Sequence, residues 1–247
     1  MAAKTPASKG GTKATDETAP GSSSKSGKGS KRKGEGPPAR KLRVLCLHGF
    51  RTSARIMEKQ VEGAQWIPLL DDLVEFVRSN NLPIVYMDAP FPATGKSDLE
   101  KKFEAPFFEW YRANQDYTEV YGLEESITQI AAFIKSRGPS DGLMGFSQGG
   151  VLGGALMGLQ EKGLALRDNE PFRFVVLIGS AIAKALFLKP AYFEPIMISS
   201  LHFIGEKDFM KEGGELLAQA YRDPTVIRHP HGHLIPRLGN VSLAEFQ

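Results

Sequence analysis

The 247-residue chain contains one cysteine, Cys46, which excludes an internal disulfide framework. Set in the apolar run "RVLCLHG", that thiol is expected to be a small core hydrophobe with no chemical role. No apolar run approaches the ~18 to 20 residues of a membrane span, and the N-terminus lacks the apolar stretch of a secretory signal. A soluble, cytoplasmic protein is expected, with a nuclear location left open. Residues 1–41 hold no Val, Ile, Leu or aromatic residue and are built of Gly, Ser, Lys and Pro. Such a stretch cannot bury enough surface to offset its ordering entropy, so a disordered tail is expected there. It carries ten Lys or Arg against three acids, a net +7, while the remaining 21 bases and 25 acids leave the rest at −4. The basic balance is therefore a property of the tail. Its "KRK" at Lys31 to Lys33 is read as solvated before it is read as a nuclear address or an anion contact.

From Leu42 the pattern changes. Short apolar runs at 42–47, 83–87, 141–146, 173–179, 200–205 and 225–230 alternate with helical periodicity at 53–62, 66–79, 123–136, 148–162 and 211–221. Nearly continuous apolar strands separated by helices predict a parallel sheet covered on both faces, an α/β fold in a single domain over 42–247. Active sites in such folds lie beyond the carboxyl ends of the strands. The polar residues to weigh are therefore His48 and Gly49, Asp88, Ser147, Ser180, Asp208 and the run "RHPHGHLIP" with His229, His231 and His233.

The sharpest local signal is Gly145-Phe146-Ser147-Gln148-Gly149, a G-x-S-x-G between a predicted strand and a predicted helix. Glycine two places either side of the serine lets a tight turn press against neighbouring backbone, and the strained serine then projects its hydroxyl into the cleft. The plainer alternative is that Ser147 caps the helix that follows. That helix carries Gly149, Gly150, Gly153, Gly154 and Gly158, and each interior glycine costs ~1 kcal/mol relative to alanine. Close packing under the sheet would account for them. A nucleophilic serine needs N–H donors for the oxyanion it creates. The N–H of Gln148, at the helix N-terminus, and that of Phe50, in the loop after the first strand, are the candidates. His48 reads as a loop-ordering hydrogen-bonder, and Asp88 as a turn or pocket-shaping residue. Glu206 and Asp208 are both placed to orient a histidine, and spacing does not choose between them. A metal tract at the three histidines is disfavoured because no acidic or cysteine cluster accompanies them.

Taken together, "LCLHGFRTS", "IVYMDAP", "FFEWYR" with "YGLEESI", "GPSDGLMGFSQGG", "LHFIGEKDFM" and "HPHGHLIPRL" resemble the FSH-type serine hydrolases of the α/β-hydrolase superfamily, in family order from Leu42 to Leu238. The resemblance implies an α/β-hydrolase fold. It implies Ser147 as nucleophile, Asp208 as acid and His233 as base, with hydrolysis of carboxylic esters or thioesters and no metal or organic cofactor. Two features depart from the family pattern: the basic tail, and the short stretch after Pro236.

Between Asp88 and Leu123 runs a long connection with eight aromatic residues. Connections of that length are commonly lids or binding loops. Trp110, Phe107 and Phe108 are taken as candidates for an apolar acyl pocket, against the alternative that they anchor the loop to the core. The expected function is a serine esterase acting on a small-molecule ester with a hydrophobic acyl chain. A thioesterase or a non-catalytic binding protein of the same fold are the alternatives, and no nucleic-acid partner or membrane span is expected of the domain.

Overall fold

The computed structural model describes residues 42–66, 84–115 and 119–237. The basic tail and most of the helix expected at 66–79 lie outside the described residues. In chain order the elements are β1 (Val44–Leu47), α1 (Ala54–Gly63), β2 (Ile84–Met87), β3 (Phe91–Pro92), β4 (Phe108–Glu109), β5 (Arg112–Ala113), β6 (Val120–Tyr121), α2 (Leu123–Arg137), β7 (Gly142–Phe146), α3 (Gln148–Glu161), β8 (Phe174–Ile178), β9 (Ser199–Gly205), α4 (Lys211–Gln219) and β10 (Thr225–His229). A 3₁₀ segment, Leu186–Tyr192, follows β8. No helix among the described residues is long and apolar enough to cross a membrane.

Six strands form one parallel sheet in the order β10-β9-β8-β7-β1-β2. Alternation along each strand sorts the side chains into two cores. Leu45, Leu47, Leu143, Val175 and Leu177 face one side, where Ile130 and Ile134 of α2, the apolar residues of α3 and Leu217 of α4 cover them. Val44, Cys46, Met144, Val176 and Ile178 face the other, against Met57 and Val61 of α1, Trp66 and Phe203. Cys46 is buried in that second core, where desolvation pushes its thiol pKa far up.

Helix α3 is buried all round, which explains its composition. A Cβ on Gly153 would meet Leu143, one on Gly154 would meet Leu177 and Leu217, and one on Gly158 would overlap the carbonyl of Ala191 in the 3₁₀ segment. The glycines trade helix propensity for close approach on several faces at once. Strand order fixes where a site can form. The chain runs from β1 outward to β2 and then returns to place β7 on the other side of β1, so a crevice opens beyond the carboxyl ends of β1 and β7.

Candidate active site

Ser147 follows β7 directly and adopts φ 54° and ψ −122°, a conformation an L-residue takes only under constraint. The constraint is backbone packing. A Cβ on Gly145 would lie 2.6 Å from Gly150 Cα, and one on Gly149 would overlap the carbonyls of Leu47 and His48. Ser147 N–H donates to Ile178 O at 3.0 Å, tying the turn to β8. Although Ser147 occupies the N-cap position of α3, its side chain makes no capping bond. Its hydroxyl instead meets Nε2 of His233 at 2.9 Å.

The other ring nitrogen of His233 lies 2.9 Å from Oδ2 and 3.0 Å from Oδ1 of Asp208. Three residues distant in sequence are thus joined in one hydrogen-bonded line at the ends of β7, β9 and β10. Asp208 is fixed by its own turn: its N–H donates to Gly205 O, its carbonyl accepts from Lys211 N, and Oδ1 accepts from Met210 N at 2.8 Å. Burial disfavours its charge, but the bonds from His233 and Met210 outweigh that and hold its carboxyl below the ordinary range. Of the two carboxylates that spacing left open, only Asp208 meets the imidazole, while Glu206 pairs with Lys211 at the surface.

The three histidines separate. His229 ends β10 buried and lies 5.9 Å from the exposed His231 ring, whereas His233, beyond Gly232, turns to Asp208 and Ser147. Among the described residues no group of three His, Cys, Asp or Glu is placed to hold a metal ion.

Phe50 follows β1 and Gln148 opens α3, where the N–H of a first-turn residue has no partner within its own helix. The Gln148 side chain has separate work. Its Oε1 accepts from Trp110 N at 2.9 Å and its Nε2 donates to Tyr111 O at 2.8 Å, clamping the aromatic connection onto the elbow. His48 orders its loop: Nδ1 lies 2.8 Å from Gly49 O, and Nε2 accepts from Ala89 N at 3.0 Å. Complete burial lowers its pKa to about 4, so the ring stays neutral and keeps that acceptor. Asp88 caps α1, accepting from Ala54 N at 2.7 Å.

Trp110 corrects the sequence expectation. It is not a pocket wall: it has no exposed surface, packs in the first core, and donates from Nε1 to His48 O at 2.8 Å. An indole in a long loop needs a partner for its N–H, and here that partner is the loop carrying Phe50. Phe107 and Phe108 remain half-buried, and Phe108 N–H donates to Thr52 O at 2.7 Å.

Several residues at the site were given no role from the sequence. Gly179 (φ 50°) lies against Asp208 and His233, where a Cβ would come 3.0 Å from Asp208 Oδ2 and 3.1 Å from the His233 ring. Gly205 similarly admits the backbone of His231 and Gly232. Glu109, almost wholly buried, accepts from Arg51 Nε at 2.9 Å and so braces the residue beside Phe50. A lone acid inside "FFEWYR" was the available hint. The His233 ring also touches two phenyl rings, buried Phe146 at 5.0 Å and exposed Phe209 at 4.5 Å between centroids.

A family model described as serine hydrolase (FSH1) matches residues 38–243. Among curated proteins, esterase OVCA2 of Homo sapiens is 31% identical over 210 residues, covering 80% of this chain and 90% of that protein. Esterase OVCA2 of Danio rerio is 29% identical over 214 residues, covering 79% of this chain and 90% of that one. Among solved structures, Zea mays acyl-protein thioesterase 2 superimposes with a TM-score of 0.52 at 18% identity, covering 81% of this chain and 90% of its own. That likeness establishes the α/β-hydrolase fold.

Proposed function

The chain belongs to the serine hydrolase (FSH1) family, and from that premise we propose that it cleaves carboxylic esters of hydrophobic acyl chains through an acyl-Ser147 intermediate. The observation that carries this reading is the unbroken line from Ser147 Oγ through both nitrogens of His233 to Asp208. As Ser147 Oγ attacks the carbonyl carbon, His233 Nε2 takes its proton, and Asp208 holds the Nδ1–H tautomer and stabilises the imidazolium. The carbonyl oxygen gains the charge and is met by the N–H groups of Phe50 and Gln148, each worth ~10²- to 10³-fold in rate. Collapse breaks the bond to the leaving oxygen, which receives the proton from His233. Water, deprotonated by the same imidazole, then attacks the acyl carbon; Ser147 leaves with that proton and the carboxylic acid is released. Half-buried Phe107 and Phe108, on the connection held against the oxyanion loop, supply the apolar surface for the acyl chain. Residues 42–247 act as the catalytic domain, with residues 1–41 as an appended basic tail.

Labelling with a fluorophosphonate tests the reading. The native chain is expected to label, and Ser147→Ala and His233→Ala to lose labelling. Label that survives Ser147→Ala contradicts the nucleophile assignment, and a native chain that neither labels nor hydrolyses favours a binding protein. Ester and thioester panels of graded acyl length then set one substrate class against the other.

A further inference from the structure

Phe209 follows Asp208 and is 81% exposed. A single exposed aromatic residue is ordinary on a protein surface. Two features set this one apart. Its ring lies 4.5 Å from the imidazole of His233. Its position is also fixed, because the turn on either side is closed by Asp208 N–H to Gly205 O, Met210 N–H to Asp208 Oδ1 and Lys211 N–H to Asp208 O. The carboxylate that orients His233 therefore also projects residue 209 outward at the corner of its turn.

We infer that Phe209 is the specificity residue for the leaving group, an apolar alcohol or thiol, and not for the acyl chain. The inference rests on the proposed hydrolysis and follows from its proton bookkeeping. His233 Nε2 must hand its proton to the leaving oxygen or sulfur, which therefore has to come within ~3 Å of that nitrogen. Whatever substituent the leaving atom carries is then held within a few ångströms of the imidazole, where the open face of Phe209 is the apolar surface it meets. The carbonyl oxygen, by contrast, is drawn toward Phe50 and Gln148, and the acyl chain goes with the carbonyl carbon. Once the leaving group has departed, Phe209 has nothing to bind. Its contribution falls on acylation and is absent from deacylation.

The test crosses two series of esters on the full chain: butyrates of methanol, butanol and hexanol, and methyl esters of acids from acetic to octanoic. Phe209→Ala is expected to lower kcat/KM least for methyl butyrate and about tenfold more for hexyl butyrate, the factor worth roughly two methylenes buried against the ring. Along the methyl-ester series the loss should stay constant. Phe209→Leu, which keeps an apolar side chain, should restore most of the hexyl activity. Rapid-quench measurement of butyryl-enzyme breakdown should give equal rates for native and variant. A loss that is the same for every alcohol, one that grows with acyl length, or slowed deacylation would each overturn the assignment, the first pointing to mere shielding of the His233–Asp208 bond. A native chain that hydrolyses no ester in either series overturns the proposed hydrolysis and this inference together, whereas an active native enzyme with an alcohol-independent loss overturns the inference alone. The exposed position predicts native-like thermal midpoints for both variants, and the Leu variant guards against a local collapse in the Ala one.

Discussion

Acidification from pH 6.5 toward 4.5 should destabilise this protein through two histidines that take no part in the proposed chemistry. Burial lowers the pKa of His48 and of His202 to about 4, from an ordinary 6.5. His202, buried within β9, has Nε2 3.1 Å from Ser200 Oγ and its ring edge-on to Tyr221. Between those pH values the unfolded chain has bound a proton at each site and the native chain has not, so stability falls as pH falls. Each group supplies a slope of at most about 1.4 kcal/mol per pH unit. Integrated from 6.5 to about 4, the loss is about 3 kcal/mol per histidine, a large share of the ~5 to 15 kcal/mol that holds a domain folded. His229, lowered by burial and by His231, adds to the same sign. Asp208 does not oppose it: its carboxyl is held below the ordinary range, so its contribution stays intact through this window and is lost only at lower pH. Urea unfolding at several pH values is the assay, with the midpoint read at constant m. The expected slope near pH 5.5 is about 2 kcal/mol per unit, and His202→Gln should remove about half of it. A stability constant to within about 0.5 kcal/mol from pH 6.5 to 4.5, or a slope untouched by His202→Gln, would refute the reasoning.

Two further substitutions separate support from chemistry. Gln148→Ala removes the bonds to Trp110 N and Tyr111 O, and losing the partner of a buried amide should cost about 1–3 kcal/mol by denaturant titration, with kcat falling as the aromatic connection loosens; a stable, fully active variant would show that the clamp is dispensable. Gly179→Ala places a methyl group against Asp208 and His233 at a left-handed φ, so we expect about 1–2 kcal/mol of lost stability together with a more than tenfold fall in kcat, and an unchanged kcat would contradict the close approach.

What was legible in the sequence was whatever a local backbone demand had written into residue type. The six strands stand within two residues of their apolar runs, most plainly β1, β7 and β8, where burial of nearly every residue admits little but apolar side chains. The elbow is legible for the same reason: Gly145 and Gly149 mark two places where backbone meets backbone, and no other residue fits. Asp208 against Glu206 was not decidable by spacing, since the choice depends on which carboxylate the turn after β9 directs toward β10. Trp110 misled because an aromatic side chain in a long connection has the same composition whether its ring faces a cleft or its N–H anchors a neighbouring loop. Gly179 and Gly205 show the limit most clearly. Each is required by side chains or backbone arriving from 24 residues or more further along the chain, and nothing adjacent to either glycine records that arrival. Phe209 is the converse case: its neighbours in sequence fix its position, but its exposure and its contact with His233 exist only once β10 has delivered the imidazole. Residues that shape a site from a distance therefore leave weaker marks than those that form it, and that is why the proposed nucleophile was readable from a five-residue motif set between a strand and a helix while a neighbour 4.5 Å from the imidazole was not.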